Sequence, residues 1–476
     1  MKRCCLILMV LLTGNVHAQT IDAYLRKIRN NTAALTAFFS QMPKGGDLHH
    51  HLDGSVYAEH YFDNAERENL FIQPQTLVVR RDTPVPFTGW TTFRELAAKG
   101  QLSKYRQLLL QKWSVKDFYR ASGPPDQHFF GTFGDFSKPS ENMRLANMLD
   151  IKQRAIAQNV SYIESMMERV HCNISVDSPE KFNEQLISAG AQHDSAAVKR
   201  LLDDMYQQLR QKNITASVDA YNDSIARWHQ QLHIDDASFT MRYMTYALRI
   251  MQPATVFREV LSSFEAAEKS PLVVGVNIVA PEDDPVSLRD YWLHMQMFRY
   301  CHQLYPHVRY SLHAGELAQG MVAPENLNWH IREAVYTAGA QRIGHGADMA
   351  YEQDVYNLLR YMRDHQVAIE INLVSNAFIL QLQGYRHPFT LYRDFKVPIV
   401  ISTDDEGILR TDMTAQYVML AQHYPELSYA EIKSFVYNGL KYSFIKEPAL
   451  KQRLLADLDK RFYLFEKNIQ LIINNK

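Results

Sequence analysis

The sequence predicts an α/β fold: a (β/α)8 TIM barrel with an N-terminal helix and a helical insertion after the first strand. Eight short, β-prone apolar runs punctuate the chain, and amphipathic helical patterns separate most of them. No Gly-rich nucleotide fingerprint follows the first run, which disfavours the rival, an open doubly wound sheet.

The first segment stands apart. Lys2 and Arg3 precede an apolar run from Cys4 to Leu12 and a small-residue pattern at Val16-His17-Ala18. This is the pattern of a secretory signal peptide over 1–18, cut near Ala18, so an exported protein, periplasmic or secreted, is expected. The run is too short for a membrane anchor, and no later stretch approaches the roughly 18 apolar residues that a membrane helix needs. The remainder, 19–476, is expected to form one barrel domain with an insertion at about 56–145.

Apolar positions recur at helical spacing from Ile21 to Gln41 and stop before Pro43, which predicts the N-terminal helix. "GDLHHHLDG" (46–54) is the first predicted strand. The insertion, rich in Tyr, Phe, Arg and Gln and broken by "SGPPD", reads as helices and loops. It could form a dimer surface, cover a pocket, or simply pack on the barrel. The other seven predicted strands are 160–167, 239–248, 272–280, 308–316, 342–346, 367–375 and 397–405. Helical patterns lie between them, for example at 198–210, 326–338 and 351–365.

The mature chain carries little net charge. Removing Lys2 and Arg3 from 51 basic groups leaves 49 against 52 acidic ones, a net −3 with neutral histidines. Nothing resembles a basic patch for phosphate backbones, so nucleic acid is not an expected partner. Cys172 and Cys301 are the only cysteines beyond the leader. One bridge or two free thiols are both open.

The reactive residues gather at predicted strand ends, where barrels keep their chemistry. Side chains alternate along a strand, so His49 and His51 share a face and His50 points away. "SLHAGE" places His313 at the end of the fifth strand, with Glu316 three residues on. "RIGHG" places His345 between glycines, and "STDD" ends the eighth strand with Asp404 and Asp405. Each alone has an ordinary reading, as a core histidine or a helix cap. Together, three imidazoles and a carboxylate suit a divalent ion such as zinc, with one position left for water. The ion makes hydroxide available near neutrality, and Glu316, not a ligand, can supply a proton. This is apparatus for metal-assisted hydrolysis.

In order along the chain, "MPKGGDLHHHLDGSVYAE", "HAGE", "RIGHG" and "STDD" resemble the adenosine deaminase family, over roughly Pro43 to Phe444. The leader, "MPKGGDLH" and "HFFGTFGDF" (128–136) are most similar to its secreted, growth-factor-related branch and exported bacterial members. The resemblance implies that His49, His51, His313 and Asp404 hold one zinc ion and that Glu316 protonates purine N1. It implies that His345 orients the attacking water and stabilises charge, that Asp405 bonds N7, and that Asp53 contacts the substrate near the ribose. Glu316, His345 and Asp404 form the implied catalytic set. The implied reaction is hydrolytic deamination at C6 of adenosine, or a close aminopurine nucleoside, to inosine and ammonia.

Three positions depart from the family's pattern. Ala280, before Pro281, replaces a Gly whose backbone contacts purine N3. Leu373 replaces the Pro of a Cys-Pro pair. Glu406 stands where Pro is common and would add charge near the site. None is a metal ligand. Two alternatives are another amidohydrolase, disfavoured because Val273 to Ala280 holds no bridging lysine, and an extracellular growth-factor-like binding protein with a vestigial site, disfavoured because every ligand and Glu316 are present.

Overall fold

The computed structural model describes residues 20–475; the predicted signal peptide lies outside them. Eight parallel strands pair in chain order: β1 Gly45–His51, β2 Val160–Glu168, β3 Thr240–Leu248, β4 Val273–Val279, β5 Arg309–Ala314, β6 Arg342–His345, β7 Ala368–Ile371 and β8 Ile399–Ile401. The segment after β8 returns to β1. Asp404 N–H donates to His49 O at 2.9 Å, and His51 N–H to Asp404 O at 3.3 Å. The ring therefore closes through a residue of the predicted site.

The strands read as near-continuous apolar runs because helices cover their outer face and side chains fill the barrel. β2 and β4 are buried throughout. Every predicted strand overlaps an observed one, but several predictions overshoot at the C-terminal end. There the last residues leave the ladder and turn into the site, as Gly315 and Glu316 do after β5.

Three local expectations need correction. The predicted helix at 21–41 is two helices, because the Asn31 side chain accepts from Ala34 N–H at 3.0 Å and starts Thr32–Gln41 anew. The pattern at 326–338 is a 3-10 turn, a short α-helix His330–Glu333 and a π turn Ala334–Ala338. The insertion holds helices, as expected, but also a three-stranded antiparallel sheet of Phe71–Gln73, Val78–Arg80 and Thr91–Thr92. Strands of two or three residues are too short to show a period.

The insertion has its own core, with Tyr61, Phe62, Phe93, Leu109, Trp113 and Phe136 buried against Ala347 and Ile408 of the barrel loops. Cys172 and Cys301 are both free thiols. Among the described residues, no helix is long and apolar enough to cross a membrane.

Candidate active site

β1 sets the first two ligands. His49 and His51 face the barrel axis, while His50 turns away to Ser165 Oγ at 3.1 Å. β5 brings His313, and the turn after β8 brings Asp404. One donor atom from each of His49, His51, His313 and Asp404 lies within 4.8 Å of the others. Asp404 Oδ1 is 3.4 Å from His49 Nε2 and 3.3 Å from His51 Nε2, and the Nε2 atoms of His51 and His313 are 3.2 Å apart.

The backs of two rings fix their tautomers. His49 Nδ1–H donates to Glu370 Oε2 at 2.8 Å, and His313 Nδ1–H to Asn277 Oδ1 at 2.9 Å. Both Nε2 atoms therefore aim lone pairs at the common point, and His49 Nε2 is buried with no hydrogen-bond partner. Lone pairs and a carboxylate converging with too few protons to share fit a divalent cation. Glu370 is itself held by Arg342 and by Ser311 Oγ at 2.9 Å, and Arg342 Nη2 reaches Glu164 Oε2 at 2.7 Å. Burial opposes charge on Glu370, but Arg342 and His49 outweigh it and bring its carboxyl down to about 2.

Glu316 and His345 lie on the other side of Asp404, with one donor atom of each within 4.8 Å of it and of each other. His345 Nε2 is 3.6 Å from Glu316 Oε1. Burial, then the charges of Asp404 and Glu282, push the Glu316 carboxyl well above the usual range. Glu282 also holds the backbone beneath it, accepting from Gly315 N–H at 3.0 Å and Glu316 N–H at 2.8 Å. For Asp404, burial opposes charge, but His49, His345 and His51 outweigh it and hold the carboxyl well below the usual range. Burial and the neighbouring Asp404 push Asp405 up instead. Asp405 Oδ1 is buried without a partner, and a Cβ on Gly54 would collide with it.

These groups open into a cavity of about 360 Å³. Its lining includes His51, Asp53, Ala280, His313, Glu316, His345, Asp404 and Asp405, while His49 is buried beneath it. Glu406 does not line it: Glu406 is buried against Arg154 and Gln158, so the charge expected near the site is neutralised behind it. Residues the sequence reading missed fall into two kinds. Asn277, Glu282, Glu370, Asn376 and His387 are buried polar partners with no motif of their own. Phe129, Phe130 and Phe133 line the cavity from the insertion helix Pro125–Asp135, at a spacing that an amphipathic pattern could have shown.

Three non-glycine residues of the site have positive φ: Ala280 at 89°, His345 at 67° and Asp404 at 65°. Such backbone is costly for a side chain and collects at functional sites. Ala280→Gly is therefore expected to stabilise the fold by roughly 0.5 kcal/mol, against the usual loss for Ala→Gly, as read from urea midpoints.

The family model for adenosine deaminase matches residues 183–461 of the 476. The adenosine deaminase of Shewanella halifaxensis is 29% identical over 157 residues, which is 32% of this chain and 46% of that protein, so the match spans less than half of the relative. Two solved structures share the fold at 16% identity. The N6-methyl-AMP deaminase of Arabidopsis thaliana aligns at TM-score 0.56 over 89% of this chain and 98% of its own. A zinc-bound amidohydrolase of Burkholderia ambifaria aligns at 0.54 over 92% and 94%. Because the family model spans more than half of its length, this barrel with its converging strand-end donors belongs to the adenosine deaminase family.

Proposed function

We propose that the protein removes the C6 amino group of adenosine, or of a close aminopurine nucleoside, by hydrolysis, with one zinc ion held by His49, His51, His313 and Asp404. The observation carrying this reading is that four metal-type donors share a point beside Glu316 and His345 in one cavity. A bound divalent ion supplies the charge that lets water ionise near neutral pH.

The chain's own groups do the rest. Glu316, kept protonated by its surroundings, gives its proton to purine N1 and makes C6 electrophilic. Asp405, protonated for the same kind of reason, donates to N7, which only accepts. His345 faces the oxygen being added, and Asp53 binds near the ribose. The water oxygen bonds to C6; of its two protons, one completes the leaving amine as the C6–N bond breaks and ammonia departs, and the other replaces the proton that Glu316 gave to N1.

A vestigial binding protein does not need this complete set of donors. A bridging-lysine amidohydrolase is disfavoured because, among the described residues, no lysine lines the cavity. Among the described residues the lining also holds no arginine; its acidic groups are Asp53, Glu316, Asp404 and Asp405. A phosphate brought there would give up its hydration with no cationic side chain to pair with, which is costly. We therefore read the substrate as an uncharged nucleoside. Ammonia release from adenosine, 2′-deoxyadenosine, adenine and AMP, with and without chelator, tests both points. Adenosine should react, chelation should stop it and zinc should restore it, with kcat/KM for AMP at least about 100-fold lower. A metal-loaded protein inert towards all four would end the reading.

A further inference from the structure

Behind the cavity, a short series of hydrogen bonds decides where His345 keeps its proton. It starts at a group whose role is not in question: the backbone N–H of Phe389, 3.1 Å from His387 Nδ1. An amide nitrogen of the main chain can only donate, so His387 Nδ1 carries a lone pair. Burial keeps this ring neutral, with its pKa lowered to about 3, so its one proton sits on Nε2. That nitrogen is 3.0 Å from Asn376 Oδ1 and orients the carboxamide, oxygen towards His387 and NH2 towards His345. Asn376 Nδ2 then lies 3.0 Å from His345 Nδ1, which must accept. Asn376, His345 and His387 are all essentially buried, so water offers no competing partner. The remaining nitrogen of His345, Nε2, faces the cavity 3.6 Å from Glu316 Oε1 and 3.9 Å from Asp404 Oδ2.

We propose that Asn376 and His387 are positioning residues that lock His345 as its Nε2–H tautomer, so that the ring enters the cavity as a hydrogen-bond donor. A donor there stabilises negative charge developing on the oxygen added at C6, and it cannot take a proton from water while it holds its own. Asn376 sits on the helix Leu373–Ile379 that follows β7, and His387 sits beyond that helix, so the lock is built from a segment that contributes no metal donor. The left-handed backbone of His345 fits the same purpose, because it turns the ring so that one edge meets Asn376 and the other meets the cavity.

The inference rests on the deaminase reading only for its effect on rate; the tautomer can be read without any turnover. In the full chain loaded with zinc, 15N NMR of the imidazoles should show His345 protonated at Nε2. Asn376→Asp, nearly isosteric, presents acceptors on both sides. It should move the His345 proton to Nδ1, lower kcat by about 100-fold or more, the loss typical of removing one such donor, and leave KM and zinc content near wild type. His387→Ala frees the carboxamide to turn and should lose both the spectrum and the rate. His387→Gln, which keeps an N–H for Asn376 Oδ1, should recover part of each. A wild-type His345 protonated at Nδ1 overturns the lock. A shifted tautomer in Asn376→Asp with unchanged kcat overturns the use made of it. If the wild type releases no ammonia while the spectrum shows Nε2–H, the deaminase reading fails and the lock stands.

Discussion

Glu316→Gln is expected to lower kcat on adenosine by about 10³-fold, within the range that a positioned acid contributes, while zinc content and KM stay near wild type. Gln has the same shape and still offers a hydrogen to purine N1, but it cannot release a proton. The substitution therefore separates binding from protonation. Glu316 is suited to the role because burial and the neighbouring charges of Asp404 and Glu282 disfavour its ionised form. Its backbone is also fixed by Glu282, so the carboxyl is aimed before substrate arrives. Metal analysis matters as much as the rate here, because Glu316, His345 and Asp404 also lie close enough to form a donor group of their own. A Glu316→Gln protein that loses its metal would make Glu316 a ligand and leave N1 protonation without a donor.

The motif residues were legible because the chain writes them in clusters. "HHH" on a strand forces two imidazoles to one face, and "HAGE", "RIGHG" and "STDD" sit where β-prone runs end. Their supporting residues were not. Glu370 orients His49 from 321 positions away, and Asn277 orients His313 from 36. Each is a lone polar residue in or beside an apolar run, and only the closing of the barrel makes it a partner. The same holds for Asn376 and His387, whose meaning depends on the direction in which an amide points. The N-terminal helix shows the opposite failure. Its apolar period runs unbroken through Arg29-Asn30-Asn31, but the side chain of Asn31 binds the backbone and restarts the helix, a local competition that periodicity does not register. Ala280 adds a third case. Its sequence context gives a change of residue type, and only the backbone shows that alanine has kept a conformation suited to glycine.

Removing one ligand should then show that the metal belongs to the fold as well as to the reaction. His313→Ala is expected to abolish zinc binding and ammonia release together and to make thermal stability indifferent to chelator. The wild type, with free zinc at about a thousand times its dissociation constant, should lose about 4 kcal/mol when chelated. The variant is a fair test because little else depends on the ring. Asn277 Oδ1 keeps two backbone donors, Ile278 N–H at 2.8 Å and His313 N–H at 3.2 Å, so losing the imidazole strands no buried acceptor. What it removes is one of the lone pairs that, with His49, His51 and Asp404, meet at one point without enough protons to bind each other. If such a cluster were merely a packed core, chelator would not move the wild-type transition and His313→Ala would cost only the space it vacates. A wild-type midpoint unmoved by chelator would therefore count against the metal centre itself, whatever the substrate.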